Sequence, residues 1–502
     1  MTAGILHQRL SAVLRKIRHG KSIKMAAARG GVWLGAAGGL EQALRLARNM
    51  ILTRLLAPEA FGVMAIVLAV NAAFESFTEI GIKHAIVQNA KGERRSFLNS
   101  AWWLAFARAL SLYVLAFTGA PWIASFYENA DLTPLLRVAF LVIIFNGAFS
   151  ARAYVAIKKM RFKRWVLIHH GGGMYGIVAT VLLVLVMSEV WALVIGFTIE
   201  AAARCLMSYL FCPFRPGFRF NREAWQALGK YARGMMGIPI LTFIFMRADI
   251  FVIGKLCSAG ELGLYSVAVA LAHMPLQLLS VLMSQVAMPA FSKMQNDLER
   301  INQAIIGITT AIALVGFPLL LFAILYSREI LLLVYGAPYA RVSRPFNVAF
   351  ASALIRFLGV PIATICFATG RPELHRFFTI VRVALILVLI YPATKFLGLT
   401  GAALAVLVAI LISHVLQVLR LRKITGLDFS RYGATFLPAA GISICVIIVW
   451  LATQSLTTSM PAFHLLGGAA SCLLAYALAL GISLRSKSRL AMMIRPIFGK
   501  SS

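Results

Sequence analysis

Four arginines lie deep inside long apolar stretches of this 502-residue sequence: Arg45, Arg108, Arg247 and Arg356. A charge at the centre of a bilayer costs at least about 2.5–3.5 kcal/mol, so such residues need a partner or a water-filled cavity. The guanidinium group stays charged and offers five donors in a planar fork, which suits a phosphate or diphosphate. We therefore predict that these four arginines bind an anionic substrate in a cavity.

The alternative for each of these arginines is an ion pair with an acid on another helix. Five acids lie in the apolar stretches: Glu41, Glu75, Glu79, Glu200 and Asp249. Glu200 precedes Arg204 by four residues, a spacing at which two charges pair on one helix. Arg247 and Asp249 are two residues apart, so they face different sides of a regular helix.

The remaining cations of these stretches lie closer to their ends. They are Arg48, Lys83, Arg137, Arg152 and Arg382, which are expected to extend toward the bilayer surface. Arg48 and Arg204 are additional candidates for the cavity. The ten cations outnumber the five acids, so the cavity is expected to attract an anion.

The composition indicates that the apolar stretches cross a membrane. Hydrophobic residues make up 60% of the chain and charged residues 13%, whereas soluble domains have about half and a quarter. About 20 apolar residues span a bilayer as a helix. Fourteen segments qualify: 28–53, 61–84, 98–119, 133–156, 165–187, 190–212, 234–254, 262–288, 302–326, 345–369, 376–393, 397–419, 432–453 and 464–484. We predict an all-α polytopic membrane protein with about 14 transmembrane helices.

The net charge of +32 is explained by the loops and does not require nucleic acid. If both termini are cytoplasmic, the inside segments carry 33 lysines and arginines and the outside connections carry 6. This asymmetry follows the positive-inside rule. Residues 1–27 are predicted to form a basic amphipathic segment on the anionic inner leaflet, with a disordered basic tail as the alternative. Residues 485–502 are predicted to be a basic cytoplasmic tail.

The chain shows signs of internal duplication. Residues 54–70 (RLLAPEAFGVMAIVLAV) align without gaps with 255–271 (KLCSAGELGLYSVAVAL), and Gly62 corresponds to Gly263. Both turns are predicted outside, each after the first helix of a six-helix block, so the blocks share one orientation. We predict an N-lobe at 28–212, a basic linker at 213–233, a C-lobe at 234–421 and a charge-free helix pair at 432–484.

Metal and cofactor chemistry is not expected. The six cysteines form no CxxC motif and lie in or beside apolar runs, where we interpret them as small buried hydrophobes. The histidines form no HxxxH or HExxH pattern, and the HHGGG run at 169–173 lacks the features of a phosphate-binding loop. No metal site and no cofactor are predicted.

Several segments resemble the polysaccharide export branch of the multidrug/oligosaccharidyl-lipid/polysaccharide (MOP) flippase superfamily, including Wzx-type and colanic-acid exporters. They are 54–70, EIGIKHAIVQ at 79–88, VWALVIG at 190–196, FRPGFRFN at 214–221 and, most specifically, 247–295. The resemblance implies two six-helix lobes around a central cationic cavity, a MATE-like fold and alternating access. It also implies a lipid-linked oligosaccharide as cargo, with the charge-free helix pair placed to shelter the lipid.

On this basis we expect a flippase and not an enzyme. It would move an undecaprenyl-diphosphate-linked repeat unit across a bacterial inner membrane for exopolysaccharide, capsule or O-antigen synthesis, beside a polymerase or export machinery. A drug or cation antiporter is the alternative, although it needs acidic cavity residues. A polymerase or ligase is a further alternative. Proton coupling through Glu41, Glu75, Glu79 or Asp249 is possible, whereas the scarcity of acids in the second lobe argues against sodium.

Overall fold

The structure of the protein is a computed structural model. It describes residues 23–77, 81–187, 189–218, 222, 224–226, 228–229, 237–275, 297–368, 372–454 and 468. Across these residues the regular structure is helical and no strand occurs, which confirms the predicted all-α fold class. Residues 1–22, Glu79, much of the predicted linker and the chain after 454, apart from Gly468, lie outside the described residues.

The first half of the chain forms helices α1 to α9. Their bounds are α1 Ile23–Leu55, α2 Pro58–Phe77, α3 Ile82–Gln88, α4 Arg95–Phe126, α5 Leu132–Ala139, α6 Leu141–Gly147, α7 Ala151–Lys158, α8 Phe162–Val186 and α9 Val190–Phe211. Pro58 opens α2, where its fixed φ angle favours the first helical turn and its missing N–H is not needed. The predicted span at 133–156 is not one helix, because it is divided among α5, α6 and α7.

The second half forms helices α10 to α18. Their bounds are α10 Ile238–Leu256, α11 259–275, α12 Leu298–Leu325, α13 Ser327–Tyr335, α14 Ser343–Leu358, α15 Val360–Ala368, α16 Pro372–Thr425, α17 Phe429–Ala434 and α18 Leu437–Gln454, with a 3₁₀ helix at Ala337–Val342. Asp297 caps α12 by accepting a hydrogen bond from the Arg300 backbone N–H over 3.0 Å. The long α16 bends at Gly398, whose φ of 58° and ψ of −141° suit only glycine.

The described residues contain eight helical segments long and apolar enough to cross a membrane. A ninth arises if α5–α6 and α7, which meet at a 56° bend, count as one broken span. The segment Glu373–Thr425 has 53 residues, enough for the two spans predicted there because each needs about 20 residues. The protein is therefore a multi-pass membrane protein, and the count of fourteen stays a prediction.

The chain divides into two compact units. The first comprises Met1–Leu56 and Val63–Phe243, and the second comprises Ala57–Gly62 and Ile244–Ser502. In the first unit α8 packs along both α9 and α1, and α4 packs on α5 and α6. In the second unit α14 packs on α16 and on α12, and α12 also packs on α18. The predicted lobe boundaries stay predictions.

The second unit contains a close crossing between the first turns of α2 and α11. A Cβ atom on Gly62 would lie 1.8 Å from the carbonyl oxygen of Ala259, and one on Gly263 would lie 1.8 Å from that of Pro58. Each contact therefore has a counterpart 201 residues away, the offset of the predicted repeat. Glycine is required at both positions because the two backbones touch.

Candidate functional site

A buried ionic network in the first unit joins α1, α8 and α9. Arg45 donates to Glu41 Oε1 over 2.7 Å and to Glu200 Oε1 over 2.5 Å. Arg204 Nη2 lies 2.6 Å from Glu200 Oε1 and 3.6 Å from Glu41 Oε1. His170 Nδ1 lies 2.5 Å from Glu41 Oε2. Two carboxylates thus balance two guanidinium groups, and an imidazole is attached at one end.

This network shows two of the ion pairs that the sequence suggested as alternatives. Arg45 is paired, because Glu41 contacts it from the preceding turn of α1 and Glu200 contacts it from α9. The predicted pair between Glu200 and Arg204 is present. Substrate binding by Arg45 or Arg204 stays a prediction, and both side chains keep about a quarter of their surface exposed, at 27% and 26%.

Glycines of α8 make room for these charges. A Cβ atom on Gly172 would lie 2.4 Å from Arg204 Cγ, and one on Gly176 would lie 2.4 Å from Glu200 Cβ. A Cβ atom on Gly173 would lie 2.5 Å from Glu41 Oε1. The HHGGG run is therefore a surface of close helix packing, in line with its glycine spacing.

A cavity of about 420 Å³ lies within the first unit, between α2, α3, α4, α6 and α7. Glu75, Lys83 and Arg108 line it together with Asn146, which donates to Glu75 Oε1 over 2.5 Å. Three aromatic side chains complete the wall: Trp102, Phe149 and Tyr154. The structure thus brings two predicted site residues, Arg108 and Glu75, to one cavity.

The break between α6 and α7 borders this cavity, and hydrogen bonds with side chains of α4 and α9 stabilise the break. The Ala148 carbonyl accepts from the Trp102 indole N–H over 3.2 Å and from the Tyr209 hydroxyl over 2.7 Å. Ser150 donates from its backbone N–H to Ser208 Oγ over 3.0 Å. Side chains thereby satisfy backbone groups that the bend frees inside the membrane.

In the second unit, two arginines converge on one turn of α10. The Arg356 Nη1 atom lies 3.4 Å from the sulfur of Met246. The Arg382 guanidinium lies over the ring of Phe245, 4.8 Å from its centroid, and donates to Ser413 Oγ over 3.3 Å. These contacts lie inside the unit, and the expectation that Arg382 extends toward the bilayer surface stays a prediction.

Within the described residues, Arg247, Arg356 and Arg382 form no ion pair with a carboxylate. Asp249, the acid nearest to Arg247 along the chain, is buried and accepts from the Tyr265 hydroxyl over 3.0 Å and from the backbone N–H of Ile250 over 2.9 Å. The acid is therefore held by neutral donors. Arginines 356 and 382 instead contact a thioether, an aromatic ring and a hydroxyl.

Two other predicted residues add little to the site. Arg48 donates from Nε and Nη2 to the side-chain oxygen of Asn49 over 3.3 and 3.0 Å, and its cavity role stays a prediction. Glu79 lies outside the described residues. Where side chains are described, no group of three or more His, Cys, Asp or Glu residues could hold a metal ion.

Sequence reasoning missed several residues of these sites. The sequence does contain a signal for His170, since it stands two residues before Gly172, the first glycine of a pair that predicts close packing against another helix. The sequence contains no comparable signal for Asn146 and Trp102, because their role depends on the bend between α6 and α7.

Comparison with known proteins agrees with this fold. Residues 51–344 match the family model described as polysaccharide biosynthesis protein. The lipopolysaccharide biosynthesis protein WzxC of Escherichia coli K12 is 23% identical over 413 residues, which cover 80% of this chain and 82% of WzxC. The succinoglycan biosynthesis transport protein ExoT of Rhizobium meliloti is 27% identical over 293 residues, 58% of each chain.

A solved structure has the same fold. The lipid II flippase MurJ, in an inward closed conformation, superimposes with a TM-score of 0.76 over 90% of this chain and 99% of its own, at 15% identity. The family model covers more than half of the chain. The chain therefore belongs to the polysaccharide biosynthesis protein family, and it has the fold of the MOP-superfamily transporters.

Proposed function

We propose that this protein is a flippase that moves a lipid-linked oligosaccharide across the bacterial inner membrane, with a diphosphate linking the lipid and the sugars. The names of its relatives support a role in surface polysaccharide synthesis and transport, and MurJ supports a lipid-linked cargo. Both termini are cytoplasmic in this proposal, as the loop charges indicate. A transporter breaks no bond, so no catalytic group is needed.

The arginines of the second unit are the observation that carries this proposal. Arg356 and Arg382 meet around Phe245 and Met246 without a carboxylate partner among the described residues. Two positive charges held together in a low-dielectric interior repel each other and attract an anion. A diphosphate fits this requirement because its oxygens accept several N–H groups of the planar guanidinium fork. Arg247, on the same helix as these two contacts, is the third candidate.

Cation export fits the same residues poorly. A cationic drug needs a negative or aromatic site, whereas Asp249, two residues from Arg247 on α10, is engaged by Tyr265 and Ile250. The surplus of positive charge in this part of the second unit would repel such a cargo. We therefore favour the anionic lipid-linked substrate over the drug antiporter.

Export of surface polysaccharide tests the proposal. In a bacterial strain that lacks its own exporter, wild-type protein is expected to restore polymer, whereas Arg356→Ala and Arg382→Ala are expected to reduce it about 10-fold or more. The estimate follows from about 1.5–3 kcal/mol for a hydrogen bond to a charged group. Arg356→Lys tests whether charge alone is sufficient.

Arg300→Gln is the matched control, since Arg300 is exposed and paired with Asp297 over 3.0 Å. Protein level in the membrane is measured for every variant by immunoblot. Lipid-linked repeat units are expected to accumulate in cells that carry the two alanine variants. Normal polymer in both variants would contradict the proposal.

We further propose that transport is coupled to protons through the network of the first unit. Glu41 and His170 share one short contact, so a proton bound there changes the net charge of a set that is otherwise balanced. Sodium is not proposed, because Asp249 already accepts two hydrogen bonds from protein donors.

A further inference from the structure

The cavity of the first unit contains groups that a diphosphate does not require. Three of its wall residues are aromatic, and a carboxylate and an amide, Glu75 and Asn146, lie side by side. The faces of the aromatic rings offer no hydrogen-bond donor to a phosphate oxygen, so they suit a ligand that also has an apolar face. The volume of about 420 Å³ falls within the roughly 300–1,000 Å³ that is typical of small-molecule sites.

The aromatic wall is rigid. The Trp102 ring stacks on Phe106 with a centroid distance of 5.1 Å and an interplanar angle of 10°. Its indole N–H donates to the Ala148 carbonyl and to the Tyr209 hydroxyl, and these bonds together with the stacking on Phe106 fix the orientation of the ring. A fixed ring with its polar atom already satisfied presents an apolar surface, which is the type of surface on which the C–H face of a pyranose packs.

The polar groups of the cavity match the rest of a sugar. Hydroxyl groups both donate and accept, so they can bond a carboxylate such as Glu75 and an amide such as Asn146. Among the described wall residues, Lys83 and Arg108 carry two positive charges and Glu75 carries one negative charge. The surplus favours a ligand with one anionic substituent, and a guanidinium binds a carboxylate with two parallel hydrogen bonds.

The competing occupants fit less well. A lipid chain would desolvate Glu75, Lys83 and Arg108 without replacing their hydrogen bonds. A cationic drug would be opposed by Lys83 and Arg108. A saccharide with an acidic substituent uses the rings, the amide, the carboxylate and the cations together.

The cavity lies toward the predicted cytoplasmic end of α4. Trp102 and Arg108 stand seven and thirteen residues after Arg95, or about 10 and 20 Å along the helix at 1.5 Å per residue. A substrate that enters from the cytoplasm, as the proposed function requires, would meet Trp102 before Arg108.

We infer that this cavity, lined by Trp102, Tyr154, Glu75, Asn146, Lys83 and Arg108, binds a pyranose unit that carries an acidic substituent. That the sugar is part of the transported cargo rests on the proposed function, whereas the binding of the sugar itself is argued from the wall residues alone. The first unit is thereby assigned to the sugar part of the cargo, and the diphosphate is left to the second unit.

Saturation-transfer NMR on the full chain in lipid nanodiscs tests the inference. The probes are the methyl glycosides of glucuronic, galacturonic and mannuronic acid, together with their neutral counterparts methyl glucoside, galactoside and mannoside. At least one uronide is expected to receive saturation at its ring C–H protons and to bind about tenfold more tightly than its neutral counterpart, because of its charge-assisted hydrogen bonds. Failure of all three uronides to bind would overturn the inference.

Two pairs of variants locate the binding. Ala105→Phe fills the cavity from α4 and is expected to abolish binding, whereas Ala107→Phe, at an exposed position of the same helix, is expected to leave it unchanged. Arg108→Gln is expected to remove the tenfold preference for the uronide, whereas Arg300→Gln keeps it. Binding that persists in Ala105→Phe, or a preference that persists in Arg108→Gln, would overturn the assignment.

The result is separable from the proposed function. Uronide binding without export of a lipid-linked substrate supports the sugar site and contradicts the flippase. Export that proceeds while no uronide binds supports the flippase and overturns the sugar site.

Discussion

At the scale of single residues, the first unit stabilises its buried charges by sharing them. Glu200 Oε1 accepts from both Arg45 and Arg204, and Glu41 accepts from Arg45 and contacts His170. Only about a tenth of each carboxylate side chain is exposed. Removal of one carboxylate therefore leaves two cations that water reaches only in part.

The first prediction concerns this shared carboxylate. Glu200→Gln is expected to lower the stability of the protein by about 3 kcal/mol, since removal of one member of a buried ion pair leaves an uncompensated charge. The measurement is the temperature at which half of the detergent-solubilised protein is lost from the monodisperse peak in size-exclusion chromatography.

Glu93→Gln is the control for that measurement. Glu93 lies 2.6 Å from Lys159 in a connection outside the spans, and the hydrogen bond from Lys159 lowers the pKa of Glu93, so Glu93 is ionised at neutral pH. Exposed pairs contribute little to stability, so this variant is expected to unfold like the wild type. Equal losses in the two variants would contradict the structural importance of Glu200.

Residue-scale predictability depended on distance along the chain. The pair of Glu200 and Arg204 followed from a spacing of four residues. The second partner of Arg45 is 155 residues away, which no local pattern reveals. The contacts of Arg382 with Phe245 and Ser413 join distant parts of the chain, so the local pattern around Arg382 did not predict them.

At the scale of elements, the glycine crossing between α2 and α11 determines how closely two helix starts can approach. Both contacts place a hypothetical Cβ atom 1.8 Å from a backbone carbonyl oxygen, and backbone cannot move aside as a flexible side chain can. An added methyl group must therefore separate the two helix starts.

The second prediction follows from this crossing. Gly263→Ala is expected to destabilise the protein by about 1–3 kcal/mol or more, the range for an overpacked contact, and Gly62→Ala is expected to do the same. Gly119→Ala in α4 is the control, since nothing lies within 4 Å of its Cβ position. Thermal stability in detergent distinguishes them: the control should equal or exceed the wild type because alanine favours a helix interior.

The elements were predictable where hydrophobicity alone defines them. The apolar segments near α2, α4, α8 and α9 followed from length and composition. The break at 147–151 did not, because the predicted span at 133–156 contains no proline at the bend. What stabilises the bend is a set of side chains from α4 and α9, including Trp102, Tyr209 and Ser208, which only the tertiary structure brings together.

At the scale of the whole molecule, the two units have different charge chemistry. The first unit places Glu41, Glu75 and Glu200 among its deep cations, and these carboxylates are groups that can bind protons. In the described part of the second unit, Arg356 and Arg382 have no acidic partner. We therefore expect protons to act in the first unit and the anionic diphosphate in the second.

The last prediction tests that division through His170. A proton shared with Glu41 changes the net charge of a network that also includes Arg45, Arg204 and Glu200, with His169 adjacent. Export by the wild type is expected to fall when a protonophore collapses the pH gradient, measured as surface polymer with and without the protonophore.

The same measurement on two variants assigns the effect. In His170→Gln, the network cannot exchange this proton, so export is expected to be low and no longer sensitive to the protonophore. His84→Gln, at an exposed position of α3, is expected to retain full sensitivity because it removes a histidine outside the network. If export by His170→Gln still falls as much as export by the wild type when the gradient is removed, the coupling proton is bound elsewhere. If export by this variant no longer depends on the gradient while its protein level is normal, coupling is assigned to the contact between His170 and Glu41.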